Sequence, residues 1–493
     1  MNKNFIKLSD QEIIRRKKLY EIIKLGINPY PSEEYYVNAT SIYLIKFYEY
    51  GKNVIISGRI IRMRIMGKAS FIEMKDKHGI IQIYLKRDSI KNYDFFFKKL
   101  LDIGDIIGIK GFLFKTKSNK TTVHAKKIKL LSKCLRVLPH VKQDETGKVH
   151  DSFYESEQRY RMRYLDLIVN DKTKSIFRKR TKIIQYIRNF LNKKGYLEVE
   201  TPILQSIPGG AIARPFMTHH NALNIPLYLR ISNELFLKKL IVGGLESVYE
   251  FSRNFRNEGI DKIHNTEFTI LELYVSYKDY FWMMIFIEKM LEFLCVKIHD
   301  KKFIKIGYNI INFNIPFKKI TILDSIKENT GYDLYGMDEK NIIKICKKIN
   351  VKIDNSMGKG KIIDLIFSEK CEKKYINPTF IMDHPIEMSP LTQIHRSKKG
   401  LTERFELIIN GNEIANSYSE LNNPIDQLKR FREQIKLYNK GDNEAMLIDC
   451  NFIRSLEFGM PPCAGIGIGI DRLIMLLTNN KCIQDVLFFP QMK

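Results

Sequence analysis

The 493-residue sequence predicts an α+β protein in two parts, a small β-barrel followed by a larger domain of helices around strands. Between Val54 and Leu131, five short runs alternate apolar with polar residues and are separated by Gly or Asp/Asn/Lys turns. That is the pattern of a five-stranded barrel, with an OB-fold as the leading candidate. From Glu250 to Tyr274 a strand, a charged turn and a returning strand read as a hairpin. Around the hairpin, several segments carry the apolar spacing of amphipathic helices.

Composition sets outer bounds. The length gives a prior of about three domains and ample material for a core. Lys plus Arg number 82 against 55 Asp plus Glu, a net charge of +27. The excess favours an anionic partner, nucleic acid first, although a chain rich in Ile, Lys, Asn, Phe and Tyr also fits compositional drift. Seven scattered cysteines without a CxxC pair point to a reducing compartment and away from structural zinc. The first residues lack an apolar signal core, Asp10 and Glu12 count against a transit peptide, and the longest apolar run, Phe281 to Ile287, is too short for a bilayer. A cytoplasmic protein with no membrane attachment is expected.

Taken in order, residues 1–50 form a helical extension: Ser9 with Glu12 makes a capping box, and Gly26 and Pro29 stop the helix. Its basic residues Arg15, Arg16, Lys17 and Lys18 are expected to be solvated. Residues 51–135 form the barrel. Phe71 and Gln82, beside Arg59, Arg62 and Arg64, offer stacking, base-edge and phosphate contacts to a single strand of nucleic acid, although a lone strand Phe is more often core. Residues 136–170, with the polar run KQDETGKVHDS, read as a linker. A helix follows from 171, capped by Asp171 or Thr173, with Ile176, Ile183, Ile187 and Phe190 on one face and Gly195 at its end. The strand YLEVETP comes next.

Further on, Gly209 and Gly210 permit close backbone approach, and Glu234 opens a helix. His219 and His220 point apart on a strand, which speaks against metal. In the hairpin, Arg256 and Glu258 are two apart and so are expected on one strand face, where Arg can fork onto phosphate, Glu can accept from an amine and Phe268 can stack on a base. Residues 276–383 carry helical periodicity and no identifiable chemistry. In ERFELIINGNEIANSYSELNNP, Glu413 and Glu420 with neighbouring Asn and Ser oxygens suit Mg²⁺. In GIGIGIDRLIMLL, alternate glycines clear one strand face for a flat ligand, and Arg472 at a helix start can meet phosphate. Neither the P-loop nor the dinucleotide-binding glycine spacing occurs.

The run FRNEG followed by HNTEF resembles motif 2 of the class II aminoacyl-tRNA synthetases. The helix, strand and Pro202 resemble motif 1, and GIGIGIDRLIMLL resembles motif 3, with Cys463, Ala464 and Gly465 where the family often has TGG. RIMGKASFIEMKDKHGIIQIYLKRD is similar to the anticodon-binding OB domain of the class IIb subgroup, with Lys120 where lysine enzymes usually carry Glu. NALNIPLYLRISNELFLKKLIVGG is similar to the lysine branch.

The resemblance implies a class II catalytic domain over 171–493, an antiparallel sheet flanked by helices, with a helical insertion about 276–383 and a homodimer through motif 1. It implies ATP-dependent ligation of L-lysine to the 3′ end of tRNA(Lys) through a lysyl-adenylate, with Mg²⁺. By motif position, Arg256 and Arg472 would be catalytic. Arg256, Glu258, His264, Asn265, Phe268 and Arg472 would bind ATP. Gly210, Glu234, Glu272, Tyr274, Asn416, Tyr418 (where Phe is frequent) and Glu420 would bind lysine. Glu413 and Glu420 would hold Mg²⁺, and Phe71 and Gln82 would meet the anticodon. The alternatives are a paralogue that makes dinucleotide polyphosphates and a non-catalytic RNA-binding protein.

Overall fold

In the computed structural model, which describes residues 8–90, 93–139, 142–143, 149–150, 153, 155–354, 357–439 and 444–492, the alternating runs become five strands. These are β1 (Asn53–Met66), β2 (Ala69–Lys75), β3 (Ile80–Lys86), β4 (Ile106–Lys115) and β5 (Thr121–Ser132). They close into a barrel in the order β1-β2-β3-β5-β4. Val54, Ile56, Ile72, Ile83, Ile109 and Val123 point inward and are buried, while their neighbours face out, as the period of two requires. Irregularities in the register of β1 on β2 and of β4 on β5 give the curvature that closure needs.

Helix α1 (Asp10–Lys24) begins with the expected capping box. Lys17 is exposed as expected, but Arg15 and Lys18 depart from expectation. Arg15 is buried, and its guanidinium donates to the carbonyls of Cys134, Arg136 and Ile103 at 3.0, 3.0 and 2.9 Å. Lys18 pairs with Asp102 at 2.6 Å, and Asp102 also meets the buried Lys133. The helix therefore docks on the barrel through its charges as well as through Ile22. Charge type alone could not reveal this, because the carbonyls that Arg15 serves lie about 90–120 positions away.

The chain divides into two compact units, Met1–Glu155 and Ser156–Lys493. The span expected as a linker contains helices Ser156–Arg161 and Arg163–Val169 of the second unit. Arg163 is fully buried there, pairing with Asp166 and donating to the carbonyls of Gln484, Leu487 and Phe488. Helix α2 (Asp171–Asn192) buries Ile176, Ile183 and Ile187, but its N-cap is Asn170, with no side-chain cap bond. Thr173 instead donates to Asp166 at 3.2 Å.

The centre of the second unit is an eight-stranded sheet. In chain order its strands are β6 (Leu197–Glu198), β7 (Ser247–Phe255), β8 (Glu267–Ser276), β9 (Lys318–Thr321), β10 (Thr379–Met382), β11 (Arg404–Ile409), β12 (Asn412–Ser419) and β13 (Cys463–Gly469). The sheet order is β9-β10-β11-β12-β13-β8-β7-β6, antiparallel except at its two outer pairs. One face packs on α2, on α4 (Tyr280–His299) and on α5 (Ile470–Thr478) in a core that includes Met283, Ile287, Leu291, Leu294, Leu473 and Ile474. Helix α3 (Glu234–Val242) stands at the edge of the other, functional face. The span 276–383 thus divides. Helix α4 belongs to the main core, whereas helices Ile322–Thr330, Glu339–Lys348 and Lys359–Lys370 build a separate core around Ile326, Ile342 and Ile366.

Candidate active site

Strand register brings the functional face together in two rungs. On one, Glu272 of β8 lies opposite Gly467 of β13, Gly467 opposite Asn416 of β12, and Asn416 opposite Glu406 of β11. On the next, Tyr274 lies opposite Gly465, Gly465 opposite Tyr418, and Tyr418 opposite Arg404. Side chains two apart share a face, so Phe268, Ile270, Glu272 and Tyr274 all line one cavity of about 410 Å³. Arg256 and Glu258 line it too, though not by strand alternation: β7 ends at Phe255, and both stand in the loop that follows.

The buried end of the cavity is acidic. Glu272 accepts from Ser232 Oγ at 3.1 Å and from the Tyr274 hydroxyl at 3.2 Å. Burial, with the charge of Glu234 nearby, pushes its carboxyl up to about 7 despite those bonds. Glu234 begins α3, and its backbone N–H donates to Ser232 Oγ at 3.1 Å, so one hydroxyl ties the helix start to the Glu272 carboxylate. Gly210, at φ +84°, packs on this pair; a Cβ there would stand 2.9 Å from Ser232 Oγ and 3.1 Å from Glu234 Cβ. Tyr418 completes the wall. Glu250, the first residue of the hairpin segment, is buried outside the cavity and is satisfied by Arg230, Asn233 and Thr201.

The open end is cationic. Arg256 lies 5.1 Å from the Phe268 ring centroid, and its buried Nε has no partner among the described residues. Arg472, in the first turn of α5, donates to His264 Nε2 at 2.8 Å and to the Glu413 carbonyl at 2.9 Å. Since the guanidinium can only donate, His264 must carry its proton on Nδ1, which gives it to Asp261 Oδ2 at 2.8 Å. Burial works to raise the Asp261 carboxyl, but the His264 bond and two backbone N–H groups hold it below its ordinary value. Asp261 escaped the sequence reading, because only the folded loop shows that it orients His264. Asn265 also lines the cavity, with its Oδ1 buried and unbonded.

Glu413 and Glu420 do not come together. Seven residues of extended strand separate them by roughly 20 Å. Glu413 meets Arg472, whereas Glu420 is fully buried behind the wall and paired with Lys238. Glu420 is therefore corrected as a partner of Glu413 around one ion. Its carboxylate also fills the space over Gly465, where a Cβ would collide with Glu420 Oε1 and the Tyr274 ring. Gly465 thus makes room for the protein's own side chains, and only Gly467 and Gly469 leave the strand bare for a ligand.

The residue on Glu413's side of the site is Glu406. A bulge at Ile414 puts Ile408 opposite Glu413 and Leu407 opposite Ala415, so that Glu413 joins Asn416 and Tyr418 along the cavity with Glu406 on the neighbouring strand. Asp364 feels this concentration of charge. It is exposed on the helix Lys359–Lys370, yet its carboxyl is pushed up to about 7, first by desolvation from the surrounding protein and then by Glu406. Glu372 is raised by burial and by the same two neighbours. Both come from the span that showed no chemistry in sequence. Among the described residues no three His, Cys, Asp or Glu side chains gather as a metal cage.

In the other unit, Phe71 and Gln82 point outward from adjacent strands, half-buried. Phe71 faces Tyr84, with ring centroids 5.2 Å apart, and Tyr84 continues to His124 at 5.0 Å and Phe114 at 5.7 Å. Gln82 faces Glu73, which pairs with Lys120 at 3.3 Å. The aromatic strip beyond Phe71 was not singled out from sequence; outward strand positions in β3, β4 and β5 carry it.

Two family profiles match the sequence, one described as tRNA synthetases class II (D, K and N) over residues 155–493 and one as an OB-fold nucleic acid binding domain over 54–131. Among similar curated proteins is the lysine–tRNA ligase of Azobacteroides pseudotrichonymphae, 57% identical over 99% of this chain and 99% of its own length. The lysine–tRNA ligase of Christiangramia forsetii is 57% identical over 100% of this chain and 88% of its own, and that of Porphyromonas gingivalis 55% over 99% and 86%.

Proposed function

The chain belongs to the lysine–tRNA ligase family of class II tRNA synthetases, and from that premise we infer that its cavity activates L-lysine with ATP and passes it to the 3′ end of tRNA(Lys). The observation that carries the reading is the division of one cavity into a buried end with the carboxylates Glu234 and Glu272 and an open end with Arg256, His264 and Arg472. A buried ammonium needs a carboxylate partner. A triphosphate needs cations.

In this reading, lysine lies with its ammonium groups toward Glu234 and Glu272 and its carboxylate toward Arg256. A carboxylate oxygen attacks the α-phosphorus, and pyrophosphate leaves; a hydroxyl of the tRNA's terminal adenosine then attacks the lysyl carbonyl, and AMP leaves. Arg256 spans the carboxylate and the α-phosphate, Phe268 stacks on adenine, and Glu258 accepts from its amine. Asp261 holds His264, and His264 with Arg472 steadies the outer phosphates. Positioning and neutralisation supply the rate, with no side-chain nucleophile. The residues fit a divalent cation: Glu406 and Glu413 line the cavity from neighbouring strands, each already drawing a cation, Arg404 at 2.7 Å and Arg472 at 3.4 Å. Mg²⁺ bound by Glu406 and Glu413 would neutralise phosphate charge, which suits an ion that takes few carboxylates and keeps phosphates and water.

The reading as a non-catalytic RNA-binding protein is not favoured, since the cavity keeps both its cations and its carboxylates. We also propose a homodimer, supported by exposed Leu197 on the short edge strand β6 and exposed Leu204, Met217 and Ile225 on a separate three-stranded sheet. Among the described residues no helix is long and apolar enough to cross a membrane, and the seven cysteines are unpaired, which supports the cytoplasm. The test is ATP–pyrophosphate exchange across the amino acids, then charging of a tRNA with a UUU anticodon. Lysine alone should support exchange, and Glu272→Gln should abolish it. Near-normal exchange by that variant removes the lysine assignment.

A further inference from the structure

Lys238 of α3 joins Glu234 to Glu420 behind the cavity without lining it. Its side chain has no exposed surface. The ammonium is 2.6 Å from Glu234 Oε1, pairs with Glu420 on the other side, and sits 5.5 Å from the Tyr418 ring centroid. Glu234 and Tyr418 form the wall; Lys238 and Glu420 stand behind it. Glu420 Oε1 has no hydrogen-bond partner among the described residues and is shut in by Gly465 and Tyr274.

We infer that Lys238 is a positioning and specificity-determining residue, a built-in ammonium that fixes Glu234 and sets the charge of the pocket for a substrate with two ammonium groups. The inference rests on the reading of this cavity as the lysine site. Three carboxylates (Glu234, Glu272 and Glu420) and one ammonium (Lys238) leave two net negative charges when all are ionised, the number that the two ammonium groups of lysine neutralise. The substrate carboxylate has its own partner in Arg256. An amino acid with one ammonium leaves a buried negative charge unmatched, and exclusion by an unpaired charge is an effective form of discrimination. Without Lys238, Glu234 and Glu420 would be like charges facing each other in low dielectric, and Glu234 would lose the contact that fixes its rotamer. Burial opposes the charge on Lys238, but Glu234 and Glu420 hold its pKa above the ordinary value, in keeping with a permanent cation.

The experiment measures lysine-dependent pyrophosphate exchange for the full chain, Lys238→Met, Glu420→Gln and the double variant, with thermal melts of each. Lys238→Met should raise KM for lysine at least tenfold while KM for ATP and kcat stay within about threefold. The double variant, which restores two net charges, should return KM for lysine to within about threefold of the parent. An unchanged KM for lysine in Lys238→Met, or a double variant as impaired as the single one, overturns the inference. If Lys238→Met alone fails to fold, the double variant is compared with Glu420→Gln: tighter lysine binding by the double variant supports the charge count, and weaker binding overturns it. A parent chain without lysine-dependent exchange overturns the lysine-site reading itself; exchange by the parent leaves only the role of Lys238 at stake.

Discussion

Glu272 owes its behaviour to burial first and to the neighbouring Glu234 second, which together raise its carboxyl from 4.5 to about 7. Between those values the folded chain holds a proton that the unfolded chain has released. This group's contribution to stability therefore falls as pH rises from 4.5 to about 7, and is constant above. Lysine binding runs the other way, because an incoming ammonium needs the carboxylate ionised. Calorimetric titration of the empty chain should show lysine affinity rising with pH, by up to about tenfold per unit, and levelling at a pH of about 7. Glu272→Gln should bind weakly with a flat profile, and a flat profile in the parent would sink the argument. Glu272 and Tyr274 were named by the family resemblance, and the strand period that puts them on one face agrees with it. Lys238 and Glu406 were not legible in sequence, since their partners Glu420 and Asn416 come from other elements, supplied to Lys238 by a helix-to-wall ion pair and to Glu406 by strand pairing.

At the scale of the element, the bulge in β12 decides which carboxylates can serve one ion. Without the extra residue at Ile414, Glu413 would turn to the opposite face from Asn416; with it, Glu413 lines the cavity. Sequence spacing could not show this, because two acids seven apart look alike whether they share a site or stand at opposite ends of a strand. Glu406→Gln and Glu413→Gln should each raise the Mg²⁺ concentration needed for half-maximal exchange by about tenfold, each removing one of the few protein ligands. Glu420→Gln should leave the Mg²⁺ dependence alone and alter lysine KM instead, and a Mg²⁺ shift in that variant would return Glu420 to the metal. Helix α1 makes a parallel case. Its boundaries followed from the capping box, but the work of Arg15 did not. Removing a charged donor from three buried carbonyls costs roughly 2–4 kcal/mol, so Arg15→Ala should lower the first unit's denaturation midpoint while pyrophosphate exchange by the second unit persists.

For the whole molecule, the two units divide the reaction, and the division can be measured. On the proposed function, exchange uses only residues of the second unit, whereas charging also needs tRNA held on the barrel. The net charge of +27 predicts that charging weakens steeply with salt, since each phosphate contact releases counterions, while exchange, which needs no polyanion, responds less. Charge gives affinity without choice. We propose that the choice of tRNA falls to the outward strip of Phe71, Tyr84 and Gln82, which a strand's period reveals only once the inward positions are known. Stacking of one base on an aromatic ring contributes about 1–3 kcal/mol, so Phe71→Ala should lower kcat/KM for tRNA charging by roughly 5- to 150-fold. Phe71 is half-buried on the outside of the barrel, against Tyr84 and away from the core residues Ile72 and Ile83, so the loss should not come from unfolding. Exchange should be unchanged and the melt of the first unit nearly so. Equal losses in exchange and charging would mean that Phe71 acts through stability, and undiminished charging would remove it from the tRNA surface.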